Sequence, residues 1–286
     1  MRNEEEIKKE IIGFALHNKR IRAVLLNGSR TNPNINPDKY QDYDITFLVS
    51  GIKNFTSDLA WTDVFGEKLL QQLPDQMIPG NAKNKQSQAF HCLMLLEDGN
   101  RIDLTLFPVE RFKSRFHTDS LTVVWLDKDE RFLNVEAPSE KDYFTSKPTK
   151  KEFFDYCNEF WWVSTNAGKG LARNEIIYAK EMIENHLRPV FMKMLEWYIG
   201  SNNSFSVSIG KGGKFLKKYL QKKMYNRLLS TYAGTDIEDN WKALFTLTSL
   251  FSKCASEIAA AVDFEYNDSE EKNAIKYLRR LHTDRP

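Results

Sequence analysis

The sequence predicts an α+β protein, with an N-terminal part built on a mixed sheet and a C-terminal part that is all helix. Two observations carry this. Up to about residue 145, apolar runs of strand length are separated by turn-forming residues, and one pair is joined by Asp98-Gly99. From Lys147-Pro148-Thr149 onward, apolar residues recur at helical spacing almost to the end. A chain of 286 residues has room for two cores. The change of character sets domains of 1–145 and 146–286.

Taken in order, residues 3–18 form an amphipathic helix, with Ile7, Ile11, Phe14 and Ala15 on one side behind an acidic first turn. Ile21 to Leu26 is a strand running into Asn27-Gly28-Ser29, and the Pro- and Asn-rich stretch from Thr31 to Gln41 is a loop. Tyr43 to Val49 is a second strand, and Trp61 to Leu73 has the spacing of a helix. Phe90 to Leu96 and Arg101 to Phe107 are the arms of the Asp-Gly hairpin, and Leu121 to Leu126 adds another strand. Thr149 and Glu152 then make a capping box. Helices follow over roughly 150–167, 174–199, 212–230, 236–262 and 269–282, with Pro189 expected to kink or divide the second.

Composition narrows the function classes. Hydrophobic residues at 41% and charged residues at 28% exclude disorder. Lys+Arg is 41 against Asp+Glu 39, so the basic excess of a nucleic-acid binder is missing. Cys92, Cys157 and Cys254 show no CxxC spacing and no paired histidines, as expected of reduced core thiols in the cytosol. His17, His91, His117, His186 and His282 are scattered without metal-ligand spacing. The N-terminal MRNEEEIKKEIIGF lacks the apolar run of a signal peptide, and no stretch approaches the ~18 apolar residues of a membrane span. These features describe a cytoplasmic protein with neither membrane nor nucleic acid as partner.

Three features stand in a set order. Gly28-Ser29 ends the first strand, Asp42-Tyr43-Asp44 opens the second, and Asp103 lies between Ile102 and Leu104 in the hairpin. Side chains alternate along a strand, so Asp42 and Asp44 share a face opposite Tyr43 and Ile45. The same parity sets Arg101, Asp103 and Thr105 opposite Ile102, Leu104 and Leu106. If the two strands are neighbours, three carboxylates meet on one patch, where they repel unless a cation joins them. Mg²⁺ suits hard oxygen ligands and a polyphosphate. Two such ions about 4 Å apart can hold both the attacking and the leaving oxygen in a displacement at phosphorus. Asp42, Asp44 and Asp103 are therefore the candidate metal ligands and catalytic residues. Gly28 lets the backbone approach a phosphate, and Ser29 adds a hydroxyl and an N–H. Arg30 joins them as a nucleotide-binding candidate.

The Gly-Ser, Asp-x-Asp and Asp arrangement resembles the nucleotidyltransferase superfamily of DNA polymerase β and the antibiotic-modifying nucleotidyltransferases. Within it, LNGSRTNPNI, QDYDITF, EDGNRIDLTLFP, CNEFWWVSTNAGKGLARNEI and GKGGKFLKKYL resemble the aminoglycoside 6-adenylyltransferases, the streptomycin-modifying enzymes. These segments spread from residue 26 to 220. The resemblance implies a polymerase-β-like nucleotidyltransferase domain over 1–145 and a helical substrate-binding domain over 146–286. It also implies ATP as AMP donor with Mg²⁺, the 6-hydroxyl of streptomycin as acceptor, release of pyrophosphate, and antibiotic resistance.

In the helical part, Phe153, Phe154, Cys157, Phe160 and Trp161 have the spacing of a core face. Asp155, Asn158, Glu159 and Trp162 share another face. That face is either solvated or binds a cationic acceptor, with Asp155 and Glu159 pairing with its guanidinium and ammonium groups and Trp162 stacking on one of them. Gly168-Lys169-Gly170 is either a break between helices or a device that sets Lys169 and Arg173 on the ATP phosphates. The segment around Gly213-Lys214 is not a P-loop, because Ser208 stands where a glycine is required and Phe215 where a Ser or Thr is required. Lys217, Lys218, Lys222 and Lys223 form a solvated basic face. Two other functions stay open. An enzyme acting on a nucleic-acid 3′ end would need a basic channel with stacking aromatics. A silent nucleotidyltransferase-like binding module would have no reason to keep three mutually repelling acids. No oligomeric state is set, and a monomer is compatible with every feature.

Overall fold

The first helix, Glu4–His17, is fixed at its start by Asn3. The Asn3 side chain accepts from the Glu6 N–H (3.1 Å) while the Glu6 carboxylate accepts from the Asn3 N–H (2.7 Å). Ile7, Ile11 and Ala15 are buried at every fourth position and lie against one face of a six-stranded sheet. The computed structural model describes residues 1–77 and 89–284.

The strands are β1 (Ile21–Asn27), β2 (Tyr43–Val49), β3 (Lys68–Gln72), β4 (Phe90–Leu96), β5 (Arg101–Pro108) and β6 (Thr122–Asp127). Their spatial order is β3-β4-β5-β2-β1-β6. Among these described strands, β2 and β5 form the parallel pair and the other neighbours run antiparallel. Parallel neighbours cannot be joined by a tight turn. The chain between β2 and β5 accordingly supplies β3 and β4 on the way.

Alternation decides which side each residue serves. Tyr43, Ile45 and Phe47 of β2 join Ile102, Leu104 and Leu106 of β5 in one core with Ile7 and Ile11. By the same parity Asp44, Arg101, Asp103 and Thr105 take the opposite face, together with His91, Leu93 and Leu95 of β4. Farther along that face, Ala23, Leu48 and Phe107 build a small second core with Phe112, Phe116 and Phe132.

Residues 61–73 are not a helix. Ala60–Phe65 is a 3₁₀ turn, Gly66 reverses the chain at φ 126°, and β3 follows at the sheet edge. Trp61, Phe65 and Leu69 imitate a helical stripe. In the structure Trp61 stacks on Phe14 (centroids 5.4 Å apart) and Phe65 meets its edge (5.5 Å), while Leu69 and Leu70 stay exposed.

The chain divides into two compact units, Met1–Asp142 and Tyr143–Pro286. The second is helical. Thr149 Oγ1 accepts from the Glu152 N–H (3.2 Å) and the Glu152 carboxylate accepts from the Thr149 N–H (2.8 Å), which starts the helix Lys150–Ala172. Phe153, Cys157, Phe160 and Trp161 are its buried stripe, and Phe160 stacks on Phe251 of the helix Ile237–Val262 at 3.7 Å.

The first of these helices does not end near residue 167 but runs through Gly168 and Gly170. A Cβ at Gly168 would overlap Leu278, and one at Gly170 would lie 3.2 Å from the Ala179 Cα. The two glycines therefore let the helices Ser269–Thr283 and Ile176–Glu181 approach closely. As expected, the next stretch is divided at Pro189, which falls in the first turn of a new helix. Met182–Leu187 widens into a π turn, which absorbs the missing proline N–H ahead of the helix Arg188–Asn202.

The expected helix over 212–230 is instead two short ones, Leu216–Tyr219 and Lys222–Leu229. Gly210, Gly212 and Gly213 lead into them with φ of 70°, 65° and 77°, so this glycine run serves a turn. All three cysteines are buried and reduced. Burial pushes the Cys157 thiol up to about 12, which leaves it inert. No described helix is long and apolar enough to cross a membrane.

Candidate active site

Strand register assembles the site. Asp44 lies opposite Asp103 across the β2–β5 seam and opposite Asn27 across β1–β2. Neighbouring strands are about 4.8 Å apart, so the two carboxylates rise side by side from one face. Asp42 lies just ahead of β2. Arg101 connects the acids. Its guanidinium donates two parallel hydrogen bonds to the Asp103 carboxylate, from Nε to Oδ1 and Nη2 to Oδ2, both 2.7 Å, and stands 3.8 Å from Asp42. The hydrogen bond to Asp103, with the added fields of Asp103, Asp42 and Asp44, raises the Arg101 pKa above its ordinary value.

Among the described residues, no three acidic, histidine or cysteine side chains are grouped to hold a metal ion. The donor set nevertheless suits Mg²⁺. Asp44 and Asp103 offer hard carboxylate oxygens from paired strands, and Asp42 adds a third on the near side of Arg101.

Gly28 opens the 3₁₀ turn Gly28–Thr31 with φ 75°, and a Cβ there would overlap the Asp44 carboxylate. The glycine is required twice, by its left-handed backbone and by the acid that lies against it. Behind it, Asn27 donates to Thr46 Oγ1 (3.0 Å) and accepts from Thr122 Oγ1 (2.8 Å), lacing β2, β1 and β6 together. Sequence reasoning missed Asn27, because only strand pairing brings its partners within reach. Ser29 is half-buried, and its carbonyl accepts from the Gln41 side chain (3.1 Å).

Arg30 is committed to protein groups. Its side chain is only 7% exposed and pairs with Glu4 at 3.2 Å. It donates to the carbonyls of Asp42 (3.1 Å) and Gln41 (2.7 Å) and stacks 3.7 Å above the Tyr43 ring. It thus grips the backbone that delivers Asp42. Arg30→Ala is expected to lower unfolding free energy by about 2–4 kcal/mol in urea titrations, since two carbonyls lose a charged donor and a ring its cation. Arg30→Lys should recover only part of this, because one ammonium cannot serve two carbonyls and a ring together. An unchanged urea midpoint in Arg30→Ala would show that other contacts hold the loop.

The family model described as streptomycin adenylyltransferase matches residues 1–281. The chain belongs to that family. It is 41% identical over 286 residues to an aminoglycoside 6-adenylyltransferase of Bacillus subtilis (strain 168), covering 99% of each chain. It is 41% identical over 280 residues to one of Campylobacter jejuni, covering 98% of this chain and 96% of that one. A crystal structure of an aminoglycoside 6-adenyltransferase from Bacillus subtilis is similar at 34% identity, covering 99% of both chains with a TM-score of 0.48.

The remaining candidates of this streptomycin adenylyltransferase family member belong to the second unit. Asp155, Glu159 and Trp162 are exposed along the helix Lys150–Ala172, with Trp162 70% exposed. Asp155 pairs with Lys151, and Asn158 donates to Glu270 (2.9 Å). Glu159 makes no ion pair among the described residues. Lys169 is half-buried near the end of that helix, and Arg173, just past it, is exposed and 3.9 Å from Glu175.

Proposed function

We propose that this chain transfers AMP from ATP to a hydroxyl of an aminoglycoside, the 6-hydroxyl of streptomycin, and so confers resistance. The observation that carries the proposal is the pairing of Asp44 with Asp103 across the β2–β5 seam, beside a glycine whose backbone lies against the Asp44 carboxylate. The acceptor oxygen attacks the α-phosphorus, the bond from that phosphorus to the bridging oxygen breaks, and pyrophosphate leaves. Asp103 takes the proton of the attacking hydroxyl: no histidine stands on β2 or β5, and His91, on the same face of the adjoining β4, is paired with Asp75 at 2.9 Å.

Mg²⁺, held by Asp42, Asp44 and Asp103, would neutralise the triphosphate and make the acceptor hydroxyl more acidic. Gly28 and Ser29 bring main chain to the phosphates, with Lys169 and Arg173 as further cations. Arg30 serves the same site by fixing the loop that ends in Asp42. On this proposal the first unit is the nucleotidyltransferase domain, the helical unit binds the acceptor, and the enzyme works in the cytoplasm. The small charge imbalance favours a small acceptor over a nucleic acid.

Incubation with labelled ATP and Mg²⁺, offering streptomycin or RNA, tests this. A streptomycin product heavier by one adenylyl group, with fragmentation placing it on the 6-hydroxyl, is expected. Label on RNA alone, or on no aminoglycoside, would refute it. The exposed helix face makes a further prediction. Glu159→Gln should raise KM for the aminoglycoside about ten- to a hundredfold, the equivalent of a lost charge-assisted hydrogen bond of about 1.5–3 kcal/mol. KM for ATP should hold. Asp155→Asn should do less, because Asp155 already has Lys151 as partner. Wild-type acceptor KM in the double variant would leave that face merely solvated.

A further inference from the structure

We infer that Arg101 is the resident counter-cation of the acid patch and a built-in competitor of the metal, so that it must release Asp103 before a divalent cation is shared by the three aspartates. The inference rests on the proposed function, which makes Asp42, Asp44 and Asp103 metal ligands. Three carboxylates on one patch are stable only with a compensating positive charge. In this structure that charge is a guanidinium locked by two parallel hydrogen bonds to Asp103 and 3.8 Å from Asp42. Both Asp103 oxygens are engaged by it. A dication at the same carboxylate would stand beside a guanidinium of like sign, so the two occupants exclude one another.

The departing side chain has somewhere to go. Arg101 also lines a cavity of about 720 Å³ whose walls include Leu70, Leu93 and Leu95, which suit its aliphatic stem, and Gln72 and Gln76, whose side-chain carbonyls could accept from its head once it leaves Asp103. The arrangement also makes Arg101 a positioning residue for the proposed proton acceptor. While the fork is closed, Asp103 is held as a satisfied ion pair. Metal entry, release of the arginine and freeing of Asp103 then become one event, and Asp103 turns available as a base only in a loaded site.

Titration of the full chain with Mn²⁺ alone, following the free ion by electron paramagnetic resonance, tests the inference without any turnover. Arg101→Met keeps the stem and removes the charge, and should bind Mn²⁺ about tenfold tighter than the unmodified protein, the effect of removing one charge-assisted pair from the metal-free state. Arg101→Lys keeps a charge but not the fork, and should fall between the two. Without metal, Arg101→Met should melt below the unmodified protein, and Mn²⁺ should close the gap. Equal or weaker Mn²⁺ binding in Arg101→Met overturns the inference while leaving the metal-ligand assignment intact. If Arg101→Met does not fold, Arg101→Lys decides: tighter binding supports the inference and equal binding overturns it. Failure of the unmodified protein and both variants to bind Mn²⁺ would remove the metal assignment, and the inference with it.

Discussion

On the proposed assignment of Asp44 as a metal ligand, Asp44→Asn is expected to lower kcat for adenylyl transfer by about 10³-fold or more, since such a carboxylate supplies several kcal/mol of charge stabilisation and each ~1.4 kcal/mol is tenfold. The fold should survive, because the amide is isosteric and the core side of β2 is carried by Tyr43, Ile45 and Phe47. Removing one of three like charges should even raise the melting temperature of the metal-free protein slightly. Asp103→Asn should differ in a diagnostic way. It breaks the charged fork with Arg101, so the metal-free protein should melt lower, not higher. If Asp103 is chiefly the proton acceptor, kcat falls about 10²–10⁴-fold with Mg·ATP affinity nearly constant. If it is chiefly a ligand, excess Mg²⁺ partly restores the rate. Steady-state kinetics across a Mg²⁺ series separate the two. Wild-type kcat in either variant would take that aspartate out of the chemistry.

Gly28→Ala should damage both stability and rate. An alanine in the left-handed region costs about 1–2 kcal/mol, and here the methyl group also collides with the Asp44 carboxylate. Displacing a catalytic group by about 1 Å is enough to lower the rate roughly 10²-fold. Gly212→Ala is the control, since its φ of 65° is similar but its Cβ would meet nothing within 4 Å. Both variants should lose comparable backbone stability in urea titrations, and Gly28→Ala alone should lose kcat. Equal kcat in the two would mean that the Asp44 carboxylate needs no fixed seat.

The acid patch was legible because its information is local. Alternation along Tyr43–Val49 and Arg101–Phe107 dictates which residues are buried, and the Asp98-Gly99 turn fixes one neighbour of β5. The adjacency of β2 and β5 was an assumption, and the register from Tyr43↔Ile102 to Val49↔Pro108 supplies it. Edge strand β3 was hidden, because all but its first residue are exposed and no buried-exposed alternation marks it. Its aromatic lead-in, Trp61 and Phe65, instead followed a spacing of four. Arg101 was placed on the correct face, yet its bond to Asp103 depends on side-chain reach, which parity does not encode. Arg30 likewise looks, in a Gly-Ser-Arg turn, like any cation near a phosphate. Only the folded loop shows its donors turned back onto Gln41 and Asp42.

On the proposed assignment, the parallel seam between β2 and β5 also governs when the chemistry comes into being. Its two strands are far apart in the chain, with β3 and β4 laid down between them. Contacts of such long sequence separation are slow to form. A nascent chain that has not yet emitted Arg101 carries Gly28, Asp42 and Asp44 but has nothing to oppose them. Regain of adenylyl transfer during refolding should therefore lag the return of helical signal, so that activity reports long-range closure of the sheet instead of mere compaction.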